Sequence, residues 1–429
     1  MEIDVNIIPI ISTDPAVSDE IEKVLRANLD TSGIQRIASV KEAVDFSNVE
    51  LPDLIFVNFS DSAFDPKTFL ASIQSDPWLL HGGIIAVCED SEALCTMEEL
   101  RGANIVVLLS REEVGTSLPK VLSIISDNRR ILFQREIGAD LVEHISASFK
   151  MNNDPLEANC YTNLICNFLY NANRITMDQK FNVSFAIHEM LINAIEHGNC
   201  AITYAEKSAW MQKRGAIVDL IQQKCADPKI AARKVAFDYA LGPSHARFVI
   251  ADEGEGFDWR SVKDPTAQEN LYELHGRGIL MSKQFTTRLE YNDKGNEVRL
   301  EIEYPDDESL LTPALLKNMR SRELVPGDIV FKQGDPGDFL YYIAKGRYEV
   351  VANDRDVSVL TPDDIFMGEM SFLLNNRRTA TVRAQTPGKL IEISKRGFVN
   401  AIKEKPHYAL FLSRLLAQRI QRSNLRKAL

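Results

Sequence analysis

The chain has 429 residues, and its 49 Lys and Arg against 61 Asp and Glu give a formal net charge of −12. That length exceeds a single hydrophobic core and predicts two or three domains. The acidic balance argues against nonspecific nucleic-acid binding and for a soluble cytoplasmic protein, and no apolar run approaches the ~20 residues needed to span a bilayer.

Residues 1 to 135 alternate short β-rich runs with amphipathic helical windows. The strands read as Val5–Ser12, Arg36–Val40, Leu54–Phe59, Gly83–Cys88 and Asn104–Leu109, which predicts a five-stranded doubly wound sheet. The run P-D-L-I-F-V-N-F (Pro52–Phe59) resembles the third strand of two-component receiver domains. Ligands of such folds sit at the carboxyl ends of the strands. There the resemblance implies an acidic pair after strand one, a phosphoacceptor Asp after strand three, a hydroxyl residue after strand four and a lysine at strand five. This chain has Ser12 and Thr13 with Asp14 beyond, then Asn58, Cys88 and Arg111. An amide is not a nucleophile, and without the acidic pair no metal activates phosphoryl transfer. The expectation is a degenerate receiver, Asn58 in the phosphoacceptor position, that docks partners or dimerises. An unrelated flavodoxin-like domain is the alternative.

A helix from about 115 to 137 is expected to act as a connector. A second domain, 136–305, then opens with a strand over Leu141–Lys150 and a helix over Asn153–Ala172. In Asn182–Asn199 (N-V-S-F-A-I-H-E-M-L-I-N-A-I-E-H-G-N), a 3.6-residue period puts Val183, Ala186, Ile187, Met190, Leu191 and Ala194 on one apolar stripe. Glu189, Asn193 and Glu196 fall on the other side at i, i+4, i+7, and Gly198 is expected as the C-cap. Further on, the apolar strand from Ala246 ends in Asp252 and breaks into Gly254 and Gly256. His275-Gly276-Arg277-Gly278-Ile279 and a strand over Glu297–Tyr304 follow.

In this order the pieces resemble the Bergerat-type ATP-binding fold of histidine kinases, gyrase, Hsp90 chaperones and bacterial anti-sigma serine kinases. Glu189-x-x-x-Asn193 matches the N box, Asp252-x-Gly254-x-Gly256 the adenine box and Gly276-x-Gly278 the lid box. The wording E-x-x-x-N-A-x-x-H-G looks most like the anti-sigma serine kinase branch. The resemblance implies that Asn193 gives Mg²⁺ a neutral oxygen and that Asp252 accepts from the adenine amine. Glycines would let backbone approach the base and phosphates, and Gly276, Arg277 and Gly278 would cradle phosphate oxygens. Glu189 would be the general base for an attacking hydroxyl. Two departures stand out. Asn296 occupies a position where the family often has Thr or Ser, and the spacer between Asn199 and the Ala246 strand is long. Its segment 204–234 reads as inserted helix without an assigned role. No phosphoacceptor histidine box is present, and His144 and His188 read as structural, which demotes an autophosphorylating histidine kinase.

After Pro305 the third domain, 306–429, alternates turns and strands as in a β-roll. Val325–Val350 resembles the cyclic-nucleotide-binding domain. Its phosphate cassette appears as Gly368-Glu369-Met370-Ser371-Phe372-Leu373, with Arg378-Thr379 following. The resemblance implies that Glu369 accepts from the ribose 2′-hydroxyl and Arg378 pairs with the cyclic phosphate, for which a guanidinium is the best partner. Thr379 fits either a phosphate oxygen or a guanine amine, so cAMP and cGMP both stay open. The final segment, Phe411–Leu429, is predicted as one basic amphipathic helix. Nothing like a helix-turn-helix is expected after it, which counts against a catabolite-activator-type transcription factor. The Met1–Asn6 start lacks the basic lead of a signal peptide. Six cysteines without C-x-x-C spacing read as buried thiols in a reducing compartment.

The fold expected is therefore multidomain α/β and α+β: a receiver-like doubly wound sheet, a Bergerat-type sandwich and a β-roll. The function expected is a cytoplasmic signalling protein, an ATP- and Mg²⁺-dependent serine/threonine kinase of anti-sigma type regulated by a cyclic nucleotide. Its expected partner is an anti-sigma-antagonist or sigma-factor-like protein, with no nucleic acid or membrane, and a homodimer is expected. A non-catalytic ATP- and cyclic-nucleotide-gated partner-binding switch and an atypical histidine kinase are the alternatives.

Overall fold

The computed structural model describes residues 7–29, 33–74, 82–89, 103–128, 145–172, 174–213, 215–242, 244–261, 277–305, 319–353, 355–364, 366–404, 409 and 413. In the N-terminal part, β1 (Ile8–Ile11), β2 (Ile34–Ile37), β3 (Leu54–Asn58), β4 (Gly83–Cys88) and β5 (Ile105–Ser110) form a parallel sheet ordered β2-β1-β3-β4-β5. That is the flavodoxin-like doubly wound order. Every residue of β1, β3 and β4 is buried, as strands covered on both faces require. The cover comes from α1 (Pro15–Asn28), α2 (Val40–Glu50), α3 (Pro66–Gln74) and α4 (Val114–Asp127). The predicted second strand ends earlier than Val40. Ser39 is a helix N-cap whose hydroxyl accepts from Glu42 N at 3.3 Å, and capping wins over β-propensity there. The connector expected to reach 137 is helical through Asp127, and 129–144 lies outside the described residues.

The second sheet is antiparallel: β6 (Ile145–Met151), β7 (Val235–Leu241), β8 (His245–Ala251), β9 (Arg288–Tyr291) and β10 (Glu297–Glu303), ordered β6-β7-β8-β10-β9. The helices of this part are α5 (Pro155–Asn171), α6 (Met177–Asn193), α7 (Tyr204–Gln212), α8 (Ile217–Cys225), α9 (Pro228–Ala231) and α10 (Arg277–Phe285). Burial alternates along β7, so Val235, Phe237, Tyr239 and Leu241 turn inward. They meet the α6 stripe of Val183, Ala186, Ile187, Met190 and Leu191 in one core, giving a two-layer α/β sandwich. The stripe is where the 3.6-residue period puts it.

Polar side chains of this sandwich reach the first sheet. Asn163 and Asn167 of α5 donate to the carbonyls of Val106 and Ile105 at 3.0 and 2.9 Å, and Lys180 donates to Ala103 O at 2.8 Å. β5 is an edge strand, and these amides occupy acceptors that an open edge would offer to another chain. Burial lowers Lys180 to about 8.

The C-terminal part is a β-roll of two four-stranded antiparallel sheets. The strands are β11 (Arg320–Leu324), β12 (Ile329–Phe331), β13 (Phe339–Lys345), β14 (Tyr348–Ala352), β15 (Arg355–Leu360), β16 (Phe366–Met367), β17 (Thr381–Ala384) and β18 (Gly388–Ser394). They are ordered β11-β18-β13-β16 and β12-β17-β14-β15, around a core that includes fully buried Tyr348. Short α11 (Glu369–Leu373) and then α12 (Lys395–Glu404) complete it. Apart from Ser413, the predicted tail helix lies outside the described residues. Among the described residues no helix is long and apolar enough to cross a membrane. The five described cysteines are free, and all but Cys225 are buried.

Candidate functional site

α6 begins with a capping box, Thr176 Oγ1 accepting from Gln179 N and the Gln179 side chain accepting from Thr176 N. It does not stop at a glycine C-cap as predicted. The last residues widen into a π-helical turn, Ala194–Asn199, with Cys200 N bonding Ile195 O at 2.9 Å. Such turns recur at functional sites. Gly198 lies inside that turn, and its role is close approach: a Cβ there would meet the Asp252 carboxyl, and one on Gly254 would meet Gly198 O.

The turn, the end of β8 and the start of β10 enclose a cavity of about 510 Å³ whose lining includes Asn193, His197, Tyr204, Asp252, Tyr291 and Asn296. Asp252 accepts from Gly254 N at 2.8 Å. Burial pushes its carboxyl up to about 6 against that bond and the charges of Lys294 and Arg233. Gly256, at φ +78°, also lines the cavity. Asn296 is bound to the protein itself: its side-chain amide donates to Asp252 O at 2.8 Å and its oxygen accepts from Asn292 at 3.0 Å. Asn in place of Thr or Ser therefore fixes the backbone of Asp252.

Glu189 lies nine residues before Gly198, roughly 13 Å along the axis at ~1.5 Å per residue. It is half-buried beyond Asn193, and a Cβ on Gly278 would meet its Oε2. Burial raises the Glu189 carboxyl, Lys207 opposing and Glu196 adding to the effect. The helix thus carries an amide on the cavity wall and a perturbed carboxylate one turn further on. Gly276 lies outside the described residues, as does the side chain of Arg277. Burial lowers His188, consistent with a packing role.

In the roll, Gly368 at φ +78° opens α11 and Glu369 is buried. Arg378 is 3% exposed, Nη1 donating to Gly368 O and Ser371 Oγ at 2.8 and 2.9 Å and Nη2 to Phe339 O at 2.6 Å. Its guanidinium stands 4.2 Å from the Phe331 ring centroid, and Nε is buried with no hydrogen-bond partner among the described residues. An orphaned buried donor on the cassette arginine fits a phosphate ligand. Thr379 is exposed.

At the strand ends of the first sheet, Asn58 is 4% exposed and donates to Ser12 Oγ at 3.0 Å. Asp61, a residue sequence reading passed over, accepts from Thr13 N and from Thr13 Oγ1 at 2.5 Å, and from Ala63 N and Phe64 N at 3.0 and 3.3 Å. Arg111 pairs with Asp14 at 3.2 Å. Sequence reading also passed over Tyr204, Lys207 and Tyr291. His197 was within reach, since it belongs to the N-A-x-x-H-G wording. The others depend on long-range packing that no local spacing encodes.

Residues 162–302 match the histidine kinase-like ATPase domain family, and residues 321–405 match the cyclic nucleotide-binding domain family. Over 84 residues the chain is 38% identical to the cAMP-dependent protein kinase type II regulatory subunit of Drosophila melanogaster, covering 20% of this chain and 22% of that protein. Over 152 residues it is 29% identical to the cGMP-dependent protein kinase of Plasmodium berghei, covering 34% and 16% respectively. The chain thus spans under a quarter of the length of either relative. Among solved structures, Thermus thermophilus catabolite activator protein is 27% identical, with 29% of this chain and 59% of that one covered and a TM-score of 0.25. The chain therefore carries a histidine kinase-like ATPase domain followed by a cyclic nucleotide-binding domain.

Proposed function

We propose that the chain is a cytoplasmic signalling kinase. Its middle domain, 136–305, transfers phosphate from ATP to a serine or threonine of an anti-sigma-antagonist-type partner. Its C-terminal domain, 306–429, sets that activity according to cAMP or cGMP. The observation that carries the reading is the set Asp252, Asn193 and Glu189: a half-buried carboxylate and a neutral amide on the cavity wall, and a second perturbed carboxylate one turn further along the helix.

Asp252 accepts a hydrogen bond from the exocyclic amine of adenine, which selects ATP over GTP. Among the described residues there is no cluster of three His, Cys, Asp or Glu that could hold a metal. A single amide oxygen fits Mg²⁺, which takes the rest of its shell from phosphates and water. Asn193 would hold that ion, whose chemistry is to neutralise phosphate charge. Glu189, its carboxyl raised by burial, takes the proton of the attacking hydroxyl. In the roll, Arg378 turns its orphaned Nε to the cyclic phosphate and Glu369 accepts from the ribose hydroxyl. We read the first domain, 1–135, as a degenerate receiver that supplies a docking or dimerisation face.

Glu189→Gln tests the kinase reading in the full chain. Phosphotransfer to a serine-bearing partner should fall by about 10² to 10⁴, while calorimetry shows ATP affinity within threefold of wild type. Unchanged partner control in that variant would leave a non-catalytic ATP-gated switch as the better reading.

A further inference from the structure

The segment between Asn199 and β7, outside the motif pattern, reaches the same cavity. Thr203 caps α7 reciprocally with Glu206 and, with Tyr204, lines the wall. The Tyr204 ring lies 4.4 Å from that of His197. One turn on, on the same face, Lys207 Nζ meets Glu196 Oε2 at 2.5 Å, with the Glu196 side chain 3% and the Lys207 side chain 32% exposed. Lys207 also acts on Glu189 through its charge, and Tyr204 feels both carboxylates. At its other end the segment is tied down by Arg233, which donates to Asn199 O at 2.7 Å.

The N-box helix thus carries two carboxylates, Glu189 half-buried and Glu196 buried against Lys207, next to where the Mg²⁺-ATP reading puts a triphosphate. Two anions beside a polyanion repel, and a cation placed between them reverses the sign. An ammonium on a four-carbon stem can trade one anionic partner for another without moving its helix. We propose that the inserted segment is part of the nucleotide site. Lys207 leaves Glu196 to bind the outer phosphates of ATP, and Tyr204 closes the wall between base and phosphates. This rests on the ATP reading and adds to it a phosphate-binding cation from outside the family's motifs.

The test is calorimetric titration of the full chain, in Mg²⁺, with adenosine, ADP and ATP. The proteins are wild type, Lys207→Met, Lys207→Arg, Glu196→Gln and Asp252→Asn. Lys207→Met should weaken ATP by about tenfold or more, the loss of one charge-assisted contact, with ADP affected less and adenosine within twofold. Lys207→Arg should restore most of the ATP affinity. Glu196→Gln, which releases the lysine, should tighten ATP severalfold. A strut that merely holds α7 in place gives the opposite pattern: Lys207→Met weakens all three ligands alike or none, and Glu196→Gln weakens ATP. Either result overturns the proposal, and because the two variants carry opposite signs, misfolding of one cannot imitate support. If wild type binds ATP, Asp252→Asn binds it more weakly and Lys207→Met equals wild type, the inference fails alone. If wild type binds no nucleotide, both readings fall.

Discussion

Asp252 in the second domain and Asp61 in the first both sit just past the carboxyl end of a strand, and their surroundings differ in kind. Asp61 is met by the Thr13 hydroxyl and amide and by the amides of Ala63 and Phe64. Burial pushes its carboxyl up, but these donors outweigh burial and hold it below the ordinary carboxylate range. Asp252 accepts from the amide of Gly254 beside a cavity of about 510 Å³, and burial lifts it to about 6. A carboxylate whose lone pairs are taken up by its own loop is part of the scaffold. One that is half-buried beside empty volume, with few donors, is open to a partner of complementary chemistry.

Filling the space beside Asp252 gives the largest effect. Gly198→Ala puts a methyl group against its carboxyl. Overpacking of this kind costs ~1–3 kcal/mol of stability, so the melting temperature should drop, and with the carboxyl displaced ATP affinity should fall by about tenfold or more, read by calorimetry at a temperature where the variant is folded. An unchanged affinity would mean that the base does not lie there.

Acidification comes next. The ionised carboxylate is the stronger acceptor, so ATP affinity should drop as pH falls through about 6, by as much as about tenfold per pH unit. Asp252→Asn should flatten that profile. The stability term has the opposite sense. A carboxyl raised from 3.8 to about 6 favours the folded state most in acid, and that contribution is lost as pH rises from about 4 to about 6.

The two sites also differ in how far sequence reveals them. The α6 stripe and the strand before Asp252 are short-range patterns, periods of 3.6 and 2, and the structure reproduces them. The glycines and Asn193 were legible because close approach and an amide on a polar helix face leave few residue choices. The C-terminus of α6 was not, since a π-helical turn spends the same residues as a capped helix and differs only in which carbonyl each amide finds. Tyr204 and Lys207 were hidden because segment 204–234 returns to the cavity through contacts with Glu196, His197 and Asn199. Asp61 was hidden for a related reason: the resemblance to receivers drew attention to Asn58, while the carboxylate three residues on is recruited by Thr13, 48 residues away in sequence.

Removing the charge of Asp61 is a smaller perturbation and confined to the first sheet. Asp61→Asn weakens the bonds to Thr13 and should cost about 1 to 2 kcal/mol, seen as a lower urea midpoint with ATP affinity within twofold. Its pH sense opposes that of Asp252: a carboxyl held below 3.8 stabilises the fold above that pH, and the contribution fades as pH falls through it. The comparison fails if Asp61→Asn is neutral to stability and alters nucleotide binding.

The smallest effect is expected from Asn58, the position at which the receiver reading would put a nucleophile. Asn58→Asp places a carboxylate beside Ser12 Oγ, to which Asn58 now donates at 3.0 Å. The new acid can accept from that hydroxyl, so the fold should tolerate it. It should still not become phosphorylated. Phosphoryl transfer to a carboxylate needs a cation to bring two anions together, and the positions that would hold one are Ser12 and Thr13, with Asp14 paired to Arg111. Incubation of wild type and Asn58→Asp with acetyl phosphate and Mg²⁺, followed by mass spectrometry, should therefore show no added phosphate on the first domain of either protein. An acyl phosphate on the variant alone would mean that Asp14 leaves Arg111 to serve the metal. One on the wild type would place a working acceptor elsewhere in this sheet, with Asp61 the first residue to substitute.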